Sequence, residues 1–281
     1  MKLHTIDAGF FKLDGGAMFG VVPKKIWYKL NPSDENNLCT WAMRCLLIEK
    51  GDKLILIDTG LGNKQDAKFF SHYEPFGNTD ILISILNAGF NPDEITDVVL
   101  THLHFDHCGG AVFFDNSKQK FLPTFKNAKY WTHKNHLNHA FCSNPREKAS
   151  FLVENIRPLV DSGQLYFIEE NQPIIEELSF EIFNGHTESM LVPIIEYKQN
   201  KIVYCADLIP SAAHLPVNFV MSYDIRPLDT MSEKEKFLQD SVNQNYILFF
   251  EHDKEIECGQ IRRSERGKFE LIQGLKLSEI G

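Results

Sequence analysis

Residues 101–110 read Thr-His-Leu-His-Phe-Asp-His-Cys-Gly-Gly. His102, His104, Asp106 and His107 place three imidazoles and a carboxylate within one turn-sized segment. Borderline divalent metals favour this ligand set, zinc first among them. If strand geometry persists past residues 97–101, His102 and His104 point to the same side and can chelate one ion together. Asp106 and His107 are adjacent, so they diverge and can address a second ion if the chain turns there. Gly109 and Gly110 let that turn occur close to a following helix. Structural zinc sites use cysteine-rich sets at paired spacing, a pattern this segment lacks. The chemistry open to two divalent ions is hydrolysis, by polarising a carbonyl or phosphoryl oxygen and lowering the pKa of water.

The elements that must position these residues can be read from apolar patterning. Residues 2–13, 42–49 and 53–58 read as strands. Residues 79–88 have helical spacing and end at Gly89. A turn at 92–94 and a short buried strand at 97–101 lead into the histidines. Residues 145–160 read as a helix despite Pro158, and 164–169, 174–185 and 190–207 as strand-rich. Ser232 and Glu235 form a capping-box signal for a helix to about Gln244, followed by a strand at 246–251. Residues 14–41, with Met18, Phe19, Trp27 and Tyr28 inside, read as a long functional loop. This order predicts mixed sheets with helices outside, an α/β layered domain. His133, His136 and His139 recur every third residue. On a helix the first and third lie about 120° apart, and no carboxylate or cysteine accompanies them, so a solvated or packing role is expected.

The chain has 281 residues, 43% of them hydrophobic and 24% charged, with a formal charge of −9 and a mean hydropathy of −0.24. This excludes a disordered or fibrous class and disfavours nucleic acid or anionic membrane as partners. No run approaches the roughly 18 apolar residues of a membrane span, and the first residues lack the apolar stretch of a signal peptide. The six cysteines form no CxxC pair and read as reduced thiols, so a cytoplasmic protein is expected.

The histidine segment resembles the HxHxDH signature of the metallo-β-lactamase superfamily. Leu54-Ile55-Leu56-Ile57-Asp58-Thr59-Gly60 is similar to that family's strand ending in Asp-Thr/Ser-Gly, and Asn184-Gly185-His186-Thr187 to its next ligand motif. Tyr204-Cys205-Ala206-Asp207 resembles the strand end that supplies a bridging aspartate, and Phe250-Glu251-His252-Asp253 the one that supplies the last histidine. The resemblance implies a four-layer αββα sandwich, two mixed sheets flanked by helices, as a single domain over 1–281 with the 14–41 loop near its active site. It implies two Zn2+ ions, other divalent metals being open. One would be held by His102, His104 and His186, the other by Asp106, His107 and His252, with Asp207 bridging. Asp106 and Asp207 are then the catalytic carboxylates. Asp207 places the ions, and Asp106 passes a proton toward the leaving group. Asp58 would orient a ligand loop by hydrogen bonds.

The implied reaction is hydrolysis of an ester-like bond by metal-held hydroxide, without a protein nucleophile. Asp207 stands where class B β-lactamases carry a cysteine, which disfavours that activity. Residues 14–24 and 206–214 resemble the branch of N-acyl-homoserine lactonases and methyl-parathion-hydrolase-like enzymes. A lactone such as N-acyl-homoserine lactone, and hence quorum quenching, is the expected substrate. A glyoxalase II-like thioester or a phosphotriester is the alternative, and a metal-binding protein without turnover the remaining one. Pro210 stands where some lactonases carry a tyrosine that assists the carbonyl. Met18, Phe19, Phe105 and His214 are the candidates for contact with a small acyl or ester substrate, and a homodimer is the assembly to test.

Overall fold

The computed structural model describes residues 1–168 and 173–280. It is a mixed α/β fold whose described residues pack into two compact units, 1–11 with 43–168 and 12–42 with 173–280.

In the first unit the strands are β1 (Lys2–Asp14), β2 (Leu38–Lys50), β3 (Lys53–Ile57) and β4 (Asp97–Val99), then a hairpin of β5 (Val112–Asp115) and β6 (Lys120–Pro123), then β7 (Lys129–Thr132) and β8 (Leu165–Phe167). The sheet order is β1-β2-β3-β4-β7-β8. The β2–β3 pair is antiparallel, and β3, β4, β7 and β8 run parallel. Residues 54–57, with Val98 and Val99, are buried without alternation, as central parallel strands covered on both faces require. The expected strand at 164–169 is realised as Leu165–Phe167, with Glu169 outside the described residues.

The helix expected over 145–160 is shorter, Val153–Asp161, with Pro158 inside it. Asn144 Oδ1 accepts from the Arg146 and Glu147 amides, at 2.9 and 3.3 Å, so the preceding residues form a tight turn that sends Glu147 inward. Here a local hydrogen bond from an asparagine side chain outcompetes helix nucleation.

The second unit holds β9 (Leu178–Phe183), β10 (Met190–Tyr197), β11 (Asn200–Tyr204), β12 (Ile247–Phe249), β13 (Cys258–Arg263) and β14 (Phe269–Leu275). They lie in the order β14-β13-β12-β11-β10-β9, antiparallel except for the β11–β12 pair. The helix Pro227–Gln244 packs on this sheet, with Phe237 edge-on to Phe183 at 5.9 Å. It starts five residues before the Ser232 expected as its cap, because Pro227 lacks an N–H and suits the first helical position.

Residues 14–41 are not a bare loop. Asp14 caps the short helix Gly15–Phe19 through the Ala17 amide (2.8 Å), a second helix spans Lys24–Trp27, and β2 begins at Leu38. Phe19 is stacked on Trp27 at 5.3 Å and on His214 at 4.7 Å. His214 is buried, its Nε2 donating to Met18 O (2.9 Å) and its Nδ1 paired with Ser211 Oγ (2.8 Å). The buried ammonium of Lys234 donates to the carbonyls of His214 and Phe219, at 2.9 and 2.7 Å. Met18, Phe19 and His214 therefore tie the segment to the 211–222 connection.

Burial pushes the His214 pKa down to about 3. An unfolded chain takes up this proton near pH 6.5. Stability is therefore full above about pH 6.5 and falls as the pH drops toward 3, by about 2 kcal/mol at pH 5 from this group. His214→Phe keeps a ring against Phe19 but cannot titrate. It should lower stability at neutral pH through the lost hydrogen bonds, and flatten the decline toward about pH 5 by that same amount in urea unfolding. An unchanged slope would show that His214 titrates normally.

Candidate metal centre

In the first unit β4 stops at Val99, and the chain passes through Thr101 to His102–Leu103–His104 and the short helix Phe105–Cys108. Asp58, directly after β3, holds this passage. Its carboxylate accepts from the Thr101 amide (2.8 Å), the Thr101 hydroxyl (2.7 Å) and His107 Nδ1 (3.1 Å). The Thr59 amide and hydroxyl both donate to His107 O, at 2.8 and 2.9 Å. Two glycines make the close approach possible. A Cβ at Gly109 would lie 2.0 Å from Leu61 O, and one at Gly110 2.2 Å from Thr59 O. The Asp58-Thr59 turn and the histidine segment are thus one interlocked body.

The three rings of this segment are buried together, with His102 centred 4.5 Å from His104 and 3.9 Å from His107. Asp106 Oδ2 lies 3.8 Å from His107 Nε2. The ring of Phe105 faces Tyr73 at 4.6 Å and Phe69 at 5.3 Å.

In the second unit His186 follows Gly185, where a Cβ would lie 2.3 Å from the Thr230 amide nitrogen. The Glu233 carboxylate accepts from the Asn184 and Gly185 amides, at 2.8 and 2.9 Å. Asp207 sits in a 3-10 turn just past β11, and His252 just past β12. Asp207 presents Oδ2 to His186 Nε2 at 3.1 Å and Oδ1 to His252 Nε2 at 3.3 Å. Two ligands of one tetrahedral zinc, with bonds near 2.0–2.1 Å, stand about 3.3 Å apart.

Hydrogen bonding fixes one nitrogen of each ring. The Thr101 hydroxyl gives its proton to Asp58, so its lone pair takes the Nδ1–H of His102 (3.1 Å) and leaves Nε2 as the basic atom. His104 donates Nε2–H to Glu147 Oε1 (3.2 Å), which leaves Nδ1. His107 donates Nδ1–H to Asp58, His186 to Asp224 Oδ1 (2.9 Å) and His252 to Ala42 O (2.7 Å), so Nε2 of each is the nitrogen a metal would take, those of His186 and His252 facing Asp207. A ligand imidazole needs its second nitrogen fixed in this way. Charge agrees. Burial opposes a proton on His186, but the Asp207 and Asp224 carboxylates push its pKa up to about 10. A bound cation would answer that negative surplus. The residues present therefore fit a divalent metal, and the described residues include His/Asp clusters that could hold one.

Sequence reasoning overlooked Glu147 and Asp224, which hold His104 and His186 from 43 and 38 positions away. It also assigned His136 and His139 to solvent or packing. His136 Nε2 accepts the Leu103 N–H (2.8 Å), and His139 Nε2 donates to Glu147 Oε2 (2.6 Å). Their spacing along the chain was the available signal, but the carboxylate that gives it meaning lies eight residues beyond His139.

The metallo-beta-lactamase superfamily model matches residues 44–252. An N-acyl homoserine lactonase of Bacillus cereus is 23% identical over 272 residues, covering 92% of this chain and 95% of that protein. Among solved structures, a probable metal-dependent hydrolase from Staphylococcus aureus is similar with a TM-score of 0.86 and 27% identity, covering 98% of each chain. AidC, a dizinc quorum-quenching lactonase solved in complex with a product, is similar with a TM-score of 0.79 and 23% identity, covering 98% of this chain and 94% of its own. The mixed α/β class with helices flanking the sheets is the fold of these neighbours too. With the family model spanning the strand ends that carry all seven expected ligands, the chain belongs to the metallo-beta-lactamase superfamily.

Proposed function

We propose that this hydrolase is a dinuclear zinc enzyme that opens a lactone ring, an N-acyl-homoserine lactone being the substrate its relatives favour. The carrying observation is the way the rings are held. Nδ1 of His102, His107, His186 and His252 and Nε2 of His104 are each tied to an acceptor, which leaves the other nitrogen of each ring for a metal. His102, His104 and His186 would hold one metal and Asp106, His107 and His252 the other, with Asp207 available to both. When bound, the pair supplies Lewis-acid polarisation of the carbonyl and a water-derived nucleophile at neutral pH.

The residues of the chain do the rest. Asp207 offers one oxygen to each side, an arrangement suited to holding two cations at a fixed spacing. Asp58 and Thr101 keep the first three rings in register. Asp106 carries a proton to the leaving alkoxide. Pro210 brings no hydroxyl to the carbonyl where some lactonases have a tyrosine, so polarisation would rest on whatever metal these residues hold. A lactone-opening activity also has support from the Bacillus cereus relative and from AidC. A formal charge of −9 disfavours nucleic acid as substrate. The six cysteines form no disulfide among the described residues, which suits a reducing cytoplasm.

Metal analysis of the purified chain should give two zinc equivalents. Asp207→Ala should lose metal and activity together, by more than the roughly 10–100-fold that removal of a residue behind a ligand costs. Asp58→Asn should fall within that range in zinc affinity while the fold is kept by circular dichroism. Full activity in Asp207→Ala would overturn the dinuclear assignment. In a panel of N-hexanoyl-homoserine lactone, a glutathione thioester and a phosphotriester, kcat/KM should be highest for the lactone. A preference for the thioester would replace the lactonase reading.

A further inference from the structure

We infer that Glu147, clamped by His139, is a positioning residue that fixes which nitrogen of His104 binds metal, with His136 fixing the backbone between the first two ligands. This rests on the dinuclear reading above and deepens it. Glu147 is buried, at 3% exposure, and both its oxygens are engaged by imidazoles. Oε1 accepts from His104 Nε2 at 3.2 Å and Oε2 from His139 Nε2 at 2.6 Å. A carboxylate accepts and does not donate, so the proton of His104 is held on Nε2 and its lone pair on Nδ1. His102, two residues earlier, has the opposite assignment through Thr101. Rotation of the His104 ring by a half turn would exchange the two nitrogens, and Glu147 blocks that exchange by giving one of them a charged partner.

The clamp comes from one short stretch of chain, its carboxylate 43 residues beyond the ring it holds. His136 and His139 lie on the helix Lys134–Phe141, and Glu147 lies in the turn set by Asn144. From this helix His136 Nε2 also accepts the N–H of Leu103, the residue between His102 and His104. Phe151 packs against all three rings, 4.9 Å from His104, 5.7 Å from His136 and 5.9 Å from His139. An apolar cover of this kind lowers the local dielectric and strengthens the ionic hydrogen bonds beneath it. The carboxylate also makes the His104 ring a more basic ligand. Removal of Glu147 should therefore act on the metal that His104 holds and spare the other.

The test titrates zinc into the full-length, metal-stripped protein against a chromophoric chelator, and records the visible spectrum of the cobalt-substituted form. Glu147→Ala should weaken one of the two equivalents by about 10–100-fold, leave the other intact and shift the cobalt bands. Glu147→Gln should recover most of that loss, because its amide oxygen still accepts from His104. His139→Phe should show part of the loss and His139→Gln, which keeps a donor toward Glu147, less of it. A Glu147→Ala protein that binds both equivalents with wild-type affinity and an unchanged cobalt spectrum, whatever its thermal stability, would overturn the inference and make Glu147 a packing residue. A wild-type chain that takes up no metal would overturn the dinuclear reading itself, so the two failures are told apart before any variant is read.

Discussion

A neutral imidazole has one proton to donate and one lone pair to offer, and it cannot be a defined ligand until something decides which nitrogen has which. That constraint governs the arrangement described here. Five buried histidines need five acceptors, and the fold supplies them as a threonine hydroxyl, three carboxylates and one backbone carbonyl. Asp58 answers directly for His107 and, through Thr101, for His102. The β3–β4 parallel pair matters for function because it ends with these two turns side by side. The glycines after the motif matter because a side chain at either would drive the two turns apart.

The two units meet the requirement by different means. In the first, the proposed ligands come from one continuous segment and are steadied by a neighbouring turn and by the helix Lys134–Phe141. In the second, Asp207 and His252 follow adjacent parallel strands, and His186 arrives on a turn gripped by Glu233. The long stretch from Asp207 to Asp224 has little regular structure. Interior polar contacts hold it in place: Lys234 to two carbonyls, Asp224 to the Met221 amide, His214 to Met18. Burial holds the Lys234 pKa down to about 7, which is the cost of using an ammonium as an internal brace.

What the sequence discloses and what it hides divide along physical lines. Ligand type and spacing are local, so His102 to His107 stand out directly, whereas Asp58, His186, Asp207 and His252 are expected only through the family resemblance. Strand patterning survived because β3, β4 and β10–β12 are apolar runs bounded by turns. The residues behind the ligands could not be read in the same way. Glu147 sits in a polar stretch whose composition is that of an exposed helix start, and only the Asn144 turn sends it inward. Asp224 lies in an irregular connection with no periodicity at all. The helix opening at Pro227 was misplaced because a side-chain capping pattern was weighed above the backbone suitability of proline. Residues 14–41 read as a loop since two helices of five and four residues are too short to leave a periodic signature.

The acceptor for His252 is the main-chain oxygen of Ala42, and this has an evolutionary consequence. No point substitution at position 42 can delete a carbonyl, so the orientation of this proposed ligand is buffered against mutational drift. The orienting bonds of His104 and His186 come from the side chains of Glu147 and Asp224, which one base change can remove. Robustness is thus unevenly distributed around the centre. Descendants of this chain would be expected to diverge in metal preference first through the histidines whose orientation is encoded in a side chain.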